Sequence, residues 1–253
     1  MVIDYNQGKI AEQYQQAKTQ PWRARIEAYS FLKAIGDVKG KKVLDVACGE
    51  GHYTRLLRHA GAEVVGIDIS ERMVTLAREQ EAREPLGITY LVEDARTIAS
   101  QQDFDIVVAA YLLVHAQDRA ELTRMSQGLD SRVRPKGRFV TVTTNPGVYS
   151  FTPPDYRKYG IEMTLADHVF EGAPVEFSVL DDSAFRVVNY YLPLDAYESA
   201  FQAAGFHDFA VRMPALSAAP EAIEEGDYWD DILNYPFLIT MECVRDSGSD
   251  PVS

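Results

Sequence analysis

Apolar positions in the first 150 residues alternate between short β-branched runs and longer stretches with a helical repeat. Lys42-Val43-Leu44-Asp45-Val46 predicts a buried strand ending before Gly49, and residues 53–60 a helix closed by Gly61. Glu63 to Ile67 predicts a second strand, Glu71 to Glu84 a helix stopped by Pro85, and Thr89 to Val92 a third strand. Phe104 to Ala109 follows as a fourth strand, Arg119 to Leu129 as a helix, and Arg138 to Thr144 as a fifth strand after the Pro135-Lys136-Gly137 turn. Strands and helices in this alternation build a parallel sheet covered on both faces.

The remaining chain has a different texture. Residues 147–182 hold prolines and aromatics without a sustained period, which predicts a cap inserted after the fifth strand. Arg186 to Leu192 then predicts a strand, Asp195 to Ala204 a helix ending at Gly205, and Phe237 to Val244 a closing strand. Ahead of the first strand, residues 8–35 contain helical material with Tyr14, Trp22 and Phe31, placed to act as a lid over the sheet's carboxyl edge. The expected architecture is one α/β domain, a doubly wound, mostly parallel seven-stranded sheet. Its parts are lid helices over 1–38, a cofactor-binding core over 39–145, a substrate cap over 146–183, a strand-helix-strand unit over 184–246, and a disordered tail over 247–253.

Composition narrows the chemistry. The net charge of −13 speaks against a nucleic-acid partner, and the whole acidic excess falls after residue 150. Its densest patch, Glu221 to Asp231, reads as a solvated face. Two cysteines, Cys48 and Cys243, give neither a disulfide framework nor metal-site spacing, and His52 and His59 lack a third ligand, so no metal is expected. Without an apolar leader or a membrane-length run, the expectation is a cytoplasmic monomer or homodimer with a small-molecule substrate and no membrane partner.

In open α/β sheets ligands bind beyond the carboxyl ends of the central strands. Here the first such turn is Asp45-Val46-Ala47-Cys48-Gly49-Glu50-Gly51, whose glycines allow a close backbone path. It is neither G-x-G-x-x-G nor a triphosphate loop. A nicotinamide-dependent oxidoreductase would share the acid after the second strand but would need the missing third glycine. That acid is Asp68 in Gly66-Ile67-Asp68, placed to accept from ribose hydroxyls, and the third strand ends in Glu93-Asp94-Ala95, placed to accept from an adenine amino group. A catalytically silent cofactor-binding protein would carry the same groups.

These motifs, with Ile69, Ser70, Met73 and the strand Phe104-Asp105-Ile106-Val107-Val108, resemble class I S-adenosylmethionine-dependent methyltransferases over residues 40–145. The resemblance implies S-adenosylmethionine as cofactor and S-adenosylhomocysteine as product. It implies that Asp45 and Gly49 hold the methionyl end, that Asp68 holds the ribose and Asp94 the adenine amino group, that Ile69 and Met73 cover the adenine, and that Ala47, Cys48, Gly51, Glu93, Ala95 and Ala110 complete the cofactor site. Ala47 stands where the commonest form of the motif has its first glycine. Tyr5, Tyr14, Pro21-Trp22-Arg23, residues 47–55, Pro85-Leu86-Gly87-Ile88 and Ala109-Ala110-Tyr111-Leu112-Leu113 also resemble toxoflavin-synthase-like bacterial enzymes. That resemblance implies methylation of a nitrogen in a small heteroaromatic natural product, with an oxygen acceptor as the alternative.

Methyl transfer of this kind rests mainly on alignment, and only an acceptor that loses a proton demands a base. His115 and Tyr111 are the candidate bases. Tyr14 is a candidate to face the sulfonium, because a tyrosine ring attracts a cation. Arg25 is a candidate partner for the methionyl carboxylate. Tyr5, Trp22, Tyr111, His115 and Asn145 are the candidate substrate contacts. Asn145-Pro146-Gly147-Val148 is similar to the [ND]-P-P-[FY] element of enzymes that methylate DNA amino groups, but it lacks the second proline and follows the wrong strand.

Overall fold

The structure, a computed structural model, describes residues 20–99, 103–181, 185–218 and 226–247. A π-helical segment, Arg23–Ala28, runs directly into helix α1 (Tyr29–Ile35), which ends at Gly36, at φ 76°. Then follow β1 (Lys42–Val46), α2 (His52–His59), β2 (Glu63–Asp68), α3 (Glu71–Arg83), β3 (Thr89–Val92), β4 (Phe104–Ala110), α4 (Arg119–Asp130) and β5 (Val133–Thr144). The cap contributes β6 (Ile161–Leu165), β7 (Pro174–Val179) and β8 (Arg186–Tyr190), and the chain closes with α5 (Leu194–Ala204), β9 (Phe206–Arg212), α6 (Asp230–Asn234) and β10 (Leu238–Arg245).

Seven strands form the main sheet in the order β3-β2-β1-β4-β5-β10-β9; pairs among the first five are parallel and both pairs of β10 are antiparallel. Neighbouring residues on β1 enter opposite cores, as expected for a strand buried on both faces. Val43 joins Phe31, Val140 and Trp22 on one face, whereas Leu44 joins Phe139, Leu122 and Phe201 on the other. Local chemistry sets where the helices begin. The Ser70 hydroxyl accepts from the Met73 amide at 3.2 Å to start α3, and the Asp118 carboxylate accepts from the Glu121 amide at 2.7 Å to start α4.

The expected seven-stranded mostly parallel sheet, with N-terminal helices and an inserted cap, is present, but two strands are assigned differently. Arg186–Tyr190 pairs with β7 and completes a separate three-stranded antiparallel sheet, β6-β7-β8. The last strand of the main sheet is instead Phe206–Arg212, for which the sequence predicts no strand. It is an edge strand, exposed at His207 and Asp208, with Asp208 at φ 53° and a register irregularity opposite Glu242–Val244, so its apolar residues do not alternate. β5 also begins five residues earlier than expected. Lys136 takes φ 61° and the pairing shifts between Phe104 and Ile106, so a bulge carries the Pro135-Lys136-Gly137 segment within one strand.

The N-terminal helix lies along a face of the sheet, where Arg138 donates to the Ala34 carbonyl at 2.8 Å and pairs with Glu242. Among its described residues, Trp22 and Arg23 line the cavity at the carboxyl edge. On the opposite face, α4 meets the loop after β3 at Gly128. An added Cβ there would fall 1.9 Å from the Ala95 carbonyl oxygen. Alanine ordinarily favours a helix over glycine by about 1 kcal/mol, yet Gly128→Ala is expected to destabilise the protein by about 1–3 kcal/mol through overpacking. A thermal-unfolding midpoint at or above that of the parent chain would contradict this close approach.

Candidate active site

Between the carboxyl ends of β1, β2, β3 and β4 and the inner face of the cap lies a cavity of about 320 Å³. Its first wall comes from the turn after β1. Ala47 takes φ 59° and Gly49 φ 57°, conformations that bring two consecutive amides and carbonyls around a tight corner. Gly51, at φ 88°, starts α2, and a Cβ on it would fall 2.4 Å from the Tyr90 hydroxyl oxygen. Ala47 and Gly49 line the cavity. Asp45, Cys48 and Gly51 stand behind them and do not. Asp45 is buried and accepts from the Thr54 hydroxyl at 2.6 Å, which ties β1 to α2.

The second wall holds the carboxylates. Asp68 accepts from the Gly49 amide at 2.9 Å through one oxygen and from the Ser70 amide at 2.8 Å through the other, so the β2 tip clamps the β1 turn. Both contacts come from backbone amides, and the carboxylate itself lines the cavity. Ile69 lines the cavity although it is 63% exposed, beside the buried Met73. Glu93, Asp94 and Ala95 follow at the β3 tip. Hydrogen bonds from Arg96 hold the Asp94 carboxyl below the usual carboxylate range, against the opposing effect of burial, so it is an ionised acceptor at neutral pH.

The third wall is apolar. Trp22 and Phe237, in edge-to-face contact at 5.2 Å, join Ile161, Phe177, Val179 and Val187 of the cap. Asn189 donates to the Thr144 hydroxyl at 2.8 Å and adds the polar note on that side. At the junction of the walls sits Tyr111, just past β4 at φ 58°, with its hydroxyl donating to Glu27 at 2.5 Å. Ala110 and His115 also line the cavity.

Among the residues singled out from sequence, Trp22, Ala47, Gly49, Asp68, Ile69, Met73, Glu93, Asp94, Ala95, Ala110, Tyr111 and His115 thus come together. Arg25 does not reach the cavity; its Nε donates to Ser217 at 3.2 Å and its guanidinium lies 5.8 Å from the Trp229 ring. Arg23 lines the cavity in its place. Asn145 is also absent from the wall, because its amide is committed to the Gly147 amide at 2.8 Å and the Pro236 carbonyl at 2.7 Å, fastening the end of β5. Tyr5 and Tyr14 lie outside the described residues. Glu27 was missed by sequence reasoning, as were the cap side chains, which carried no periodic signal. Among the described residues no cluster of three or more His, Cys, Asp or Glu could hold a metal ion, and no helix is long and apolar enough to cross a membrane.

Residues 43–137 match the family model for a methyltransferase domain. A ubiquinone biosynthesis O-methyltransferase from Coxiella burnetii is 34% identical over 118 residues, covering 46% of this chain and 49% of the relative. One of the same name from Acinetobacter baylyi is 35% identical over 121 residues, covering 46% and 50%. The chain thus spans about half the length of the curated relatives it matches. Among solved structures, the CcbJ methyltransferase from Streptomyces caelestis superposes with a TM-score of 0.63 at 17% identity, covering 95% of this chain and 98% of that one. An S-adenosylmethionine-dependent methyltransferase from Mesorhizobium loti gives 0.59 at 21%, covering 92% and 100%. At such identities these two carry the fold alone.

Burial lowers the pKa of His115 below the usual histidine value, and the charge of Glu121 opposes that only in part. The ring is therefore neutral at pH 7. Its contribution to stability is complete above about pH 6.5, the unfolded value, and is lost as pH falls through the lower folded value. An NMR titration of the His115 ring is expected to give a midpoint under the free-histidine value; a midpoint at or above it would contradict the assignment.

Proposed function

We propose that the chain, whose residues 43–137 match the methyltransferase-domain model, is a class I, Rossmann-like S-adenosylmethionine-dependent methyltransferase and that it methylates a small, largely apolar molecule at an oxygen atom. The observation that carries the reading is the continuity of one cavity from the strand-tip acids to the aromatic face of the cap. When bound, S-adenosylmethionine supplies a methyl group on a sulfonium, a good leaving group for backside displacement.

The residues fit such a group. Asp68 offers lone pairs to ribose hydroxyls while its backbone bonds hold it in place, and Ile69 with Met73 gives an apolar cover beside the Glu93-Asp94 acids. Ala47 and Gly49 bring backbone close enough for the methionyl end. The cap side chains exclude water from the acceptor and orient it, and alignment of this kind lowers barriers by about 7–11 kcal/mol in favourable intramolecular cases. An oxygen acceptor is favoured over the heteroaromatic nitrogen expected from sequence because the curated relatives of the cofactor half are named O-methyltransferases. The relatives named above do not single out a toxoflavin-synthase-like activity. The glycopeptide N-methyltransferase MtfA superposes at 18% identity, which speaks only to fold.

Calorimetric titration with S-adenosylhomocysteine tests the cofactor half of this reading. The wild-type chain is expected to bind it, and Asp68→Ala to bind it about 1.5–3 kcal/mol more weakly, the range for hydrogen bonds to a charged partner. Unchanged affinity in the variant would put the ribose somewhere other than the β2 tip.

A further inference from the structure

Three carboxylates are buried among the described residues, and their partners separate them by role. Asp45 accepts from Thr54, and Glu242 pairs with Arg138 and Arg212, none of which lines the cavity. Glu27, only 2% exposed, is different. One of its oxygens accepts from the Tyr53 hydroxyl at 2.6 Å and the other from the Tyr111 hydroxyl at 2.5 Å, while Arg23 donates to both at 3.1 Å. Arg23 and Tyr111 are cavity wall.

Two further observations point from this cluster to chemistry. Glu27 lies in a π-helical turn, and Tyr111 holds a left-handed backbone conformation that costs a non-glycine residue about 1–2 kcal/mol. Both kinds of irregularity concentrate at functional sites. Purely structural tethering of the N-terminal helix would not need the tyrosine at the cavity, since Tyr53 from α2 already makes that link from the core.

We infer that Tyr111 and Glu27 form a proton relay and that the acceptor is a phenol: Tyr111 takes the proton from the acceptor hydroxyl as its own passes to Glu27. The inference rests on the methyl-transfer reading above. In the step, the acceptor oxygen bonds to the methyl carbon while the carbon–sulfur bond breaks and its electron pair stays on sulfur. The acceptor hydrogen goes to the Tyr111 oxygen, and the Tyr111 hydrogen to Glu27. The sulfonium charge and the carboxylate charge disappear together, and nothing is oxidised or reduced. Tyr111 is the catalytic residue, Glu27 the group acting through it, and Arg23 and Tyr53 the groups that hold Glu27.

Why a phenol follows from matching. A proton passes readily between groups of similar acidity, and tyrosine itself titrates near about 10. A bare ring nitrogen has no proton to give, and an aliphatic alcohol holds its proton far more tightly than a phenol does. Trp22, Phe177 and Phe237 line the same cavity as Tyr111 and suit an aromatic ring. The second phenol, Tyr53, is no competing relay: burial first, and then the charge of Glu27, pushes its pKa well above the usual range, and it is not on the cavity wall.

The test uses the full chain with methyl-labelled S-adenosylmethionine and a panel of hydroxynaphthalenes, their nitro-substituted forms already ionised at the assay pH, and isoquinoline. Label is expected on the hydroxynaphthalenes and not on isoquinoline. Glu27→Gln is expected to lose roughly a hundredfold in kcat on the neutral phenols with KM changed only a few fold, and to regain most of the loss on the ionised ones. Tyr111→Phe follows the same pattern and carries the comparison if Glu27→Gln unfolds, as thermal unfolding of each variant would reveal. Equal losses on neutral and ionised phenols, or label on isoquinoline, or none on any phenol, would overturn the relay. Failure of the parent chain to bind S-adenosylhomocysteine would instead remove the methyl-transfer reading and the relay with it.

Discussion

A carboxylate taken out of water must be paired, and Glu27 is paired by groups from three parts of the chain. Arg23 comes from its own helix, Tyr53 from α2 and Tyr111 from the tip of β4. Leaving such a charge unmatched costs several kcal/mol, far more than an exposed ion pair contributes. The first turn of the N-terminal helix, the helix after the glycine turn and the strand end that carries Tyr111 are therefore held in one arrangement. That arrangement fixes where the apolar compartment meets the strand-tip acids.

The same economy governs the acids themselves. Asp68 is both a candidate ligand group and the clamp on the β1 turn, and Glu81, at the far end of α3, gathers the Leu86, Gly87 and Ile88 amides onto one oxygen at 2.6, 2.7 and 3.2 Å. Carboxylates that already accept backbone hydrogen bonds do not have to be reorganised when a ligand arrives, which is the physical content of a preorganised site. Arg96 serves Asp94 in the same way, and because that pair is partly exposed its value lies in orientation more than in stability.

Strands β1 to β4 and their helices were legible because each is buried on a regular period and punctuated by Gly, Pro or a capping side chain. The strand-tip residues Asp68 and Asp94 followed directly. Where one face of a strand is cavity and the other half-solvated, as in β6 and β7, the period fails; β8 was legible as a strand, but not its place in the cap sheet, because its partner β7 was hidden. Edge position and a bulge concealed β9 for a similar reason. Arg25 was preferred over Arg23 because sequence does not reveal which way a π-helical turn directs neighbouring side chains, and Asn145 looked free only because its partner carbonyl on Pro236 is distant in sequence. Glu27 carried no local signal at all: its meaning depends on Tyr53 and Tyr111, separated from it by 26 and 84 positions.

Topology and similarity divide the chain at nearly the same place. The family match ends at residue 137, within β5, and the cap begins after that strand. On the proposed reading, cofactor recognition belongs to the part that matches the family model, whereas the rest of the cavity wall comes mainly from the cap, the N-terminal helix and Phe237. A sheet that presents one constant cofactor leaves the inserted segment free to vary, since the cap's own antiparallel ladders satisfy its backbone without drawing on the main sheet. Acceptor identity must therefore be argued from local side-chain chemistry. On that basis the proposed oxygen acceptor is argued from Tyr111, a residue of positive φ on the cavity wall with a buried carboxylate behind it, more than from the name of any relative.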